Sequence, residues 1–348
     1  MKCCVTTRKR RFSFLLFACV LVCCVVLAFH DRMHEFCLVP HILWRIPRLS
    51  PRDNTDVTIV TAFFDLGTFR KGDGGLAQIK YTPQKYLEWG SAFQYLQNPL
   101  VIFTDSVEME ECFRVGAAVC GNCLTCRQES GLAETKRHAP EQKHRIKVVR
   151  VYNRTQFFAF QKLNRVREIF ADPSYPKFNP NTVLPEYACT QHVKVDLVER
   201  AILEDYFQTK YYAWMDLGYF RDITFRKRKF WITVPPEMND SKVAVNEVIS
   251  PPNHRVDPDI IFKENALWVG GGMVLGTAPV LLKFVEEYRR AVQHFLDGGL
   301  FNTDQQLIYS MYKSTSAQQL GVTTQLQLFG LRFHGCWFYL GYKCYKEE

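Results

Sequence analysis

One segment of the chain ends a hydrophobic, aromatic run on a single carboxylate. Residues 211–222 read YYAWMDLGYFRD, so Asp216 follows a predicted buried strand and Gly218 turns the chain directly after it. In open α/β sheets, ligands bind beyond the carboxyl ends of strands, where a carboxylate can hold a divalent cation together with phosphates. A strand followed by an ordinary polar turn fits the same residues, so other segments must support the interpretation of Asp216 as a ligand.

One nearby residue and one distant residue are candidates to complete a cation site with Asp216. Asp222 is a second carboxylate six residues further on, and His334 follows a strand-like run in LRFHGCWF. Mn²⁺ or Mg²⁺ at such a site would stabilise the charge that develops on a diphosphate leaving group. A hydrogen-bonded histidine at the end of a strand is the alternative for His334.

A glycine run and a helix start carry further candidate binding groups. Gly270, Gly271 and Gly272 interrupt a strand-like segment, LWVGGGMVLG, and let a ligand or another segment approach the backbone closely. A bulge or sheet corner is the alternative. Asp304 opens a predicted helix in NTDQQ. It is a candidate acceptor-site carboxylate that acts as a base or as an orienting group. The alternative is an acidic residue in the first turn that the helix dipole favours.

Basic groups that could meet phosphate lie in two places. Lys194 and His192 fall within the predicted helix before the strand at 211–215, from which they could reach donor phosphates, although most helix lysines are only solvated. Residues 226–229 read RKRK, which fits either a phosphate-binding run or a solvated loop.

Composition excludes disorder and a general nucleic-acid surface. The 348 residues are 47% hydrophobic and 23% charged, as in ordinary globular proteins. Of the formal net charge of +9, five positive charges fall within residues 1–11. The rest of the chain is only weakly basic, so we expect no nucleic-acid partner.

Residues 12–29 form an apolar run long enough to cross a bilayer as a helix. Because the basic residues precede this run, residues 1–11 should be a cytoplasmic tail and the remainder luminal, which is a type II topology in the Golgi or endoplasmic reticulum. A cleaved signal peptide is the alternative, but the run is long for one and no small-x-small cleavage site follows it.

Cysteines and glycosylation sequons fit a luminal location. Eight cysteines follow the apolar run, and this even number permits a disulfide framework. Asn153 and Asn239 begin Asn-x-Ser/Thr sequons, which are acceptors for N-glycosylation. Cys112, Cys120, Cys123 and Cys126 could bind zinc in a reducing compartment, but disulfides are the more common result in an oxidising lumen.

The pattern of elements predicts an α/β domain. A proline-containing stem at 30–56 precedes a luminal domain at 57–348, which an irregular cysteine-rich insertion interrupts at 116–142. Predicted strands alternate with predicted helices, which indicates a mostly parallel, helix-flanked sheet. The strands are expected at 57–64, 100–104, 147–152, 211–215, 242–249 and 267–277, and the helices at 82–96, 155–170, 186–207, 279–295 and 304–312.

Several segments together resemble the HtrL/YibB family. They are VTIVTAFFDLG at 57–67, NPLVIFTD at 98–105, HVKVDLVERA at 192–201, YYAWMDLGYFRD at 211–222, WVGGGMVLGT at 268–277 and NTDQQLIYSMY at 302–312. Members of that family resemble glycosyltransferases of the GT-A type, so the resemblance implies a nucleotide-binding α/β sheet and a nucleotide-sugar donor.

The resemblance also implies roles for individual residues. Asp216 corresponds to the carboxylate of a reduced Asp-x-Asp metal motif in which Gly218 replaces the second aspartate. The glycine run at 270–272 would lie beside the donor sugar, Asp304 near the acceptor, and Asp65 would face the nucleotide.

We therefore expect a type II membrane glycosyltransferase that moves a sugar to a glycan, lipid or protein acceptor, with Asp216 and His334 holding Mn²⁺ or Mg²⁺. The alternative is a non-catalytic luminal protein of the same fold that binds a glycan or a partner. In a third hypothesis, the insertion at 116–142 is a disulfide-stapled interaction surface.

Overall fold

The computed structural model describes residues 47–72, 79–115, 145–249, 256–330 and 336–348. The predicted tail and membrane span at 1–29, most of the stem, the insertion at 116–142 and His334 lie outside these ranges. Within them, no helix is both long and apolar enough to cross a bilayer. The membrane anchor stays a prediction.

The described chain alternates strands and helices over most of its length. The strands are β1 Val57–Phe63, β2 Phe69–Lys71, β3 Ile79–Tyr81, β4 Leu100–Thr104, β5 Ile146–Arg150, β6 Tyr211–Met215, β7 Phe230–Ile232, β8 Lys242–Glu247, β9 Val269–Thr277, β10 Gln325–Phe329 and β11 Tyr345–Glu347. The α-helices are α1 Pro83–Gly90, α2 Val107–Val115, α3 Phe158–Gln161, α4 Leu163–Ala171, α5 Pro185–Glu204, α6 Pro258–Lys263, α7 Ala278–Asp297, α8 Asp304–Met311, α9 Ser314–Leu320 and α10 Tyr339–Cys344. Short 3₁₀ helices cover Ser91–Tyr95, Arg154–Gln156 and Arg221–Arg226.

Seven strands form the central sheet in the order β10-β8-β9-β6-β1-β4-β5. β1 pairs in parallel with β4 and β6, β4 with β5, and β8 with β10. Only β9 among these strands runs antiparallel to its neighbours, β6 and β8. The predicted mostly parallel, helix-flanked α/β sheet is confirmed.

The sheet grows in two directions from β1. After β1 the chain adds β4 and β5 on one side, and it then returns to add β6 on the other side. Since β1 and β6 are parallel neighbours, their carboxyl ends lie at the same edge of the sheet. A crevice at such a reversal of strand order is the usual ligand site of an open α/β sheet.

Both faces of the sheet are covered, which explains why β1 reads as a continuous hydrophobic run. Successive side chains of a strand point to opposite faces, and Val60 packs into one hydrophobic cluster while Ile59 packs into the other. The first cluster includes residues of α5 and α7, and the second includes aromatic residues around Phe220 and Tyr345. Hydrophobic side chains therefore pack against the sheet on both of its faces.

Predicted element positions agree closely with the structure where hydrophobic periodicity is strong. The predicted cap of α1 is confirmed, because Thr82 Oγ1 accepts a hydrogen bond from the Lys85 backbone at 3.2 Å and Pro83 is the first helical residue. Two long predicted helices are wrong in detail: the first continues beyond α1 only as a 3₁₀ helix, and the second is divided among a 3₁₀ helix, α3 and α4.

Candidate functional site

A cleft of about 390 Å³ opens at the carboxyl edge of β1 and β6. Its lining includes Phe64 after β1, Asp216 and Gly218 after β6, and Asp304 at the start of α8. The cleft therefore lies at the reversal of strand order.

Lys194 joins two carboxylates in this cleft. Its Nζ lies 2.9 Å from Asp304 Oδ2 and 3.1 Å from Asp216 Oδ1, and it donates to the Gly271 carbonyl at 3.0 Å. These acceptors match the three N–H groups of an ammonium ion. We call Lys194, Asp216 and Asp304 the carboxylate–lysine cluster.

The members of the carboxylate–lysine cluster differ in exposure. The side chains of Lys194 and Asp304 are 9% and 7% exposed, whereas that of Asp216 is 40% exposed. Asp216 Oδ1 also accepts a hydrogen bond from Trp214 Nε1 at 2.8 Å, which fixes the orientation of the carboxylate. Asp216 is therefore the member that a ligand in the cleft can reach most readily.

Charge pairing and lost hydration shift the pKa values of the cluster. Burial acts against the Lys194 ammonium, but the attraction of Asp216 and Asp304 outweighs it, so the pKa of Lys194 is raised. Lost hydration raises the pKa of Asp216, which Lys194 opposes and Asp304 reinforces. Asp216 is consequently a stronger base than a fully hydrated aspartate.

Buried polar contacts hold the start of α8 beside the cluster. The Asn302 carbonyl accepts a hydrogen bond from His192 Nε2 at 3.0 Å, while His192 Nδ1 accepts one from the Tyr288 hydroxyl at 2.7 Å. The Asn302 side chain donates to the Phe262 carbonyl at 2.9 Å. His192 is 2% exposed and does not line the cleft, so the prediction that it reaches donor phosphates is wrong.

Two glycines are required because other side chains occupy the space beside them. A β-carbon at Gly271 would lie 1.9 Å from Asp304 Oδ2. The group that approaches the backbone of the glycine run closely is therefore the Asp304 carboxylate and not a ligand. A β-carbon at Gly218 would lie 2.9 Å from Cε3 of Trp89. The position where an Asp-x-Asp motif would have its second carboxylate thus has no room for one.

Aromatic side chains form one wall of the cleft. Phe69 and Tyr81 stack with ring centroids 5.6 Å apart, and Trp89 meets Tyr81 and Tyr86 edge-on at 5.6 and 5.2 Å. All four residues line the cleft. Such a wall suits a flat, partly apolar ligand group such as a nucleobase.

Two cations, Lys71 and Arg221, also line the cleft. The Arg221 guanidinium carbon lies 4.8 Å from the Phe338 ring centroid and 5.7 Å from that of Trp89. Among the residues that the structure describes, neither cation forms an ion pair with a carboxylate. Neither residue is a candidate on the sequence alone, although Arg221 stands only five residues after Asp216.

The family model of the HtrL_YibB proteins, described as bacterial proteins of unknown function, matches residues 55–346. The chain belongs to the HtrL_YibB family. The match covers the predicted luminal domain almost completely and confirms the resemblance inferred from the sequence. No curated protein matches the chain.

The described residues of this HtrL_YibB protein do not by themselves fit a divalent-cation centre. No group of three or more His, Cys, Asp or Glu side chains lies close enough there to hold a metal ion. Oxygens of both cluster carboxylates already contact the Lys194 ammonium. A metal held by Asp216 and His334 stays a prediction, because His334 is outside the described residues.

The structure brings Asp216, Asp304, Lys194 and the glycine run together, but not every candidate joins them. Asp65 follows β1 as predicted, but its exposed side chain accepts a hydrogen bond from the Gly67 backbone at 2.8 Å and does not line the cleft. Asp222 is exposed and also lies outside the cleft lining.

Other predicted features lie on the surface or away from the cleft. Asn153 and Asn239 are both exposed, as a glycosylation acceptor requires. The basic run contributes Arg226, which pairs with Glu347 at 2.6 Å. Cys189 and Cys344 are free, buried thiols, so the eight cysteines do not all pair with one another.

Proposed function

We propose that the chain is a glycosyltransferase of the GT-A type that uses a nucleoside-diphosphate sugar as its donor. The proposal rests on the side chains that line one cleft at the reversal of strand order: an aromatic wall, two carboxylates, the lysine between them and two further cations. These groups match the three parts of such a donor, which are a base, a diphosphate and a sugar rich in hydroxyls. The mostly parallel sheet of the HtrL_YibB domain supports the same assignment.

In the proposed reaction an acceptor hydroxyl attacks the anomeric carbon of the donor sugar. The new bond joins the acceptor oxygen to that carbon, and the bond from the carbon to the diphosphate oxygen breaks with its electron pair. The hydroxyl proton passes to Asp216, whose 40% exposed side chain and raised pKa suit a general base. Asp304, which is 7% exposed and held by Lys194, orients the sugar and fixes the cluster.

The predicted anchor at 12–29 completes the proposal. It would hold the enzyme in the membrane of the Golgi or endoplasmic reticulum, with the cleft in the lumen and a glycan, lipid or protein as acceptor. The predicted disulfides belong to the same compartment.

The experiment that tests the proposed activity is release of nucleoside diphosphate by the purified full-length chain. UDP-, GDP- and CDP-sugars are offered with a mixture of glycan, lipid and protein acceptors, with and without Mn²⁺. The Asp216→Asn variant keeps the shape of the side chain but not its basicity, and we expect a loss of 100-fold or more in rate. The control is Asp240→Asn, which removes a carboxylate from an exposed ion pair with Lys210.

Equal turnover by Asp216→Asn and wild type would contradict the role of Asp216. Donor binding without turnover under any condition would instead favour the alternative, a non-catalytic luminal protein of the same fold.

A further inference from the structure

A lysine occupies the position between the two carboxylates of the cleft. Lys194 Nζ is 2.9 Å from Asp304 and 3.1 Å from Asp216, and its third donor is used by the Gly271 carbonyl. A cation bound by these same oxygens would have to displace an ammonium that is 9% exposed. The cluster is therefore already neutralised in part by the chain itself.

Positive charge that is available to a ligand lies elsewhere in the cleft. Lys71 and Arg221 line it and form no ion pair with a carboxylate among the described residues. Unpaired cations in a concave, partly apolar site attract anions strongly, because the surroundings screen charge less than bulk water does.

Arg221 has the geometry that phosphate recognition needs. Its guanidinium lies over the Phe338 ring at 4.8 Å and near the Trp89 ring at 5.7 Å. Contact with ring faces restrains the guanidinium, and its planar fork of N–H groups suits two parallel hydrogen bonds to a phosphate. An arginine held in this way loses little further entropy when it binds a phosphate.

Lys71 shares the same region of the cleft. Its pKa is raised, chiefly by the neighbouring Tyr187 and against the effect of burial, while repulsion from Arg221 acts to lower it. Lys71, Arg221 and Asp216 all line the same cleft, so the two cations can act together on one ligand there. An anion between Lys71 and Arg221 would remove the repulsion.

We propose that Lys71 and Arg221 bind the diphosphate of the donor, and that Lys194 takes the place of a divalent cation between Asp216 and Asp304, so that diphosphate binding needs no metal. This inference rests on the proposed function for the identity of the donor. The electron pair released when the sugar–oxygen bond breaks stays on the diphosphate, where the two side chains stabilise it. No other reactant is required.

The test is calorimetric titration of the full-length chain with inorganic pyrophosphate and with UDP, GDP and CDP, in EDTA and in Mn²⁺. We expect at least one of these probes to bind in EDTA, with an affinity within about threefold of that in Mn²⁺. Arg221→Gln and Lys71→Met should each weaken binding at least tenfold. Lys263→Met is the matched control, because it removes an exposed lysine that pairs with Asp259, and neither residue lines the cleft.

The outcomes separate this inference from the proposed function. Binding of a probe that appears only with Mn²⁺, or binding in EDTA that Arg221→Gln and Lys71→Met leave unchanged, overturns the inference and leaves the transferase proposal intact. Metal-independent binding that both variants weaken supports the inference even if no sugar is transferred. If no probe binds under either condition to a chain that melts cooperatively, both proposals fail.

Discussion

A β-carbon on Gly271 would lie 1.9 Å from Oδ2 of Asp304. The glycine of β9 and the carboxylate of α8 therefore occupy adjoining space, and the same carboxylate oxygen lies 2.9 Å from the Lys194 ammonium. Strand β9 must be free of a side chain at this point for the carboxylate–lysine cluster to form.

Gly271→Ala should displace the Asp304 carboxylate. Forcing an extra methyl group into a packed site costs about 1–3 kcal/mol of stability, and here it also separates Asp304 from Lys194. We expect a lower free energy of unfolding and loss of donor turnover. Chemical denaturation and the nucleoside-diphosphate release assay measure the two effects.

Gly270→Ala is the matched control for this change. Its β-carbon would lie 3.3 Å from a methyl group of Val248, which can move aside more easily than a carboxylate held by an ion pair. Equal losses of turnover in the two variants would contradict the specific role of the contact between residues 271 and 304.

Lys194→Met should destabilise the fold by about 3–5 kcal/mol, because it leaves two carboxylates without their shared cation. Adding Asp304→Asn should recover part of the loss, and Mn²⁺ should stabilise Lys194→Met more than it stabilises the wild type. Urea denaturation with and without Mn²⁺ measures all three effects. Lys210→Met breaks an exposed ion pair and should cost much less stability than Lys194→Met; a similar cost for both lysines would show that the cluster is not a buried charge network.

His192 should make the fold sensitive to acid. Burial lowers its pKa from 6.5 to about 4, with the Asn302 hydrogen bond opposing this effect and Lys194 adding to it. Between those pH values the unfolded chain binds a proton that the folded chain does not. As far as His192 is concerned, the free energy of unfolding is therefore highest above about pH 6.5, and it falls by about 3 kcal/mol as the pH approaches 4.

His192→Gln should remove this part of the pH dependence. The variant keeps a donor and an acceptor, so we expect it to be less stable than the wild type near pH 7 but to lose less stability on acidification. Denaturation midpoints measured from about pH 7 to 4.5 give the two slopes. Parallel slopes would show that His192 does not titrate as its burial requires.

Both sequons should carry glycans if the domain is luminal. Asn153 and Asn239 are exposed, and each side-chain carbonyl accepts hydrogen bonds from the backbone and hydroxyl groups two residues on, namely those of Thr155 and Ser241. Expression in a eukaryotic secretory cell should give a mass that glycosidase lowers. Asn153→Gln and Asn239→Gln should each remove the added mass of one glycan. An unmodified wild-type chain would contradict the predicted topology.

The sheet was predictable because its strands are short hydrophobic runs buried on both faces. β1, β4, β6 and β9 all lie within two residues of their predicted starts. β10 was not predicted: QLQLF is a half-exposed edge strand whose polar residues conceal the pattern. β7 and β11 are three-residue strands that pair across more than a hundred residues, and no local signal reveals such a pairing.

The site was predictable in its members but not in their contacts. Asp216 and Asp304 were selected because each stands at the end of a strand or the start of a helix, where carboxylates commonly act. Nothing in the spacing indicated that Lys194 would lie between them, because that contact depends on how α5 packs on the sheet. The sequence around Arg221 is that of an ordinary loop arginine. The aromatic rings that contact its guanidinium, those of Trp89 and Phe338, belong to segments that are distant in the sequence.

Binding of a nucleotide sugar in the cleft is tested most directly by a thermal-shift comparison of the full-length wild type with Gln191→Trp, in the presence of UDP-, GDP- and CDP-sugars. Gln191 lines the cleft from α5, so an indole there should fill the ligand space while the fold is retained. We expect one nucleotide sugar to raise the wild-type melting temperature by several degrees at saturating concentration and to leave that of Gln191→Trp unchanged. Equal shifts in both proteins, or no shift for a cooperatively folded wild type with any donor, would contradict the assignment of this cleft as a nucleotide-sugar site.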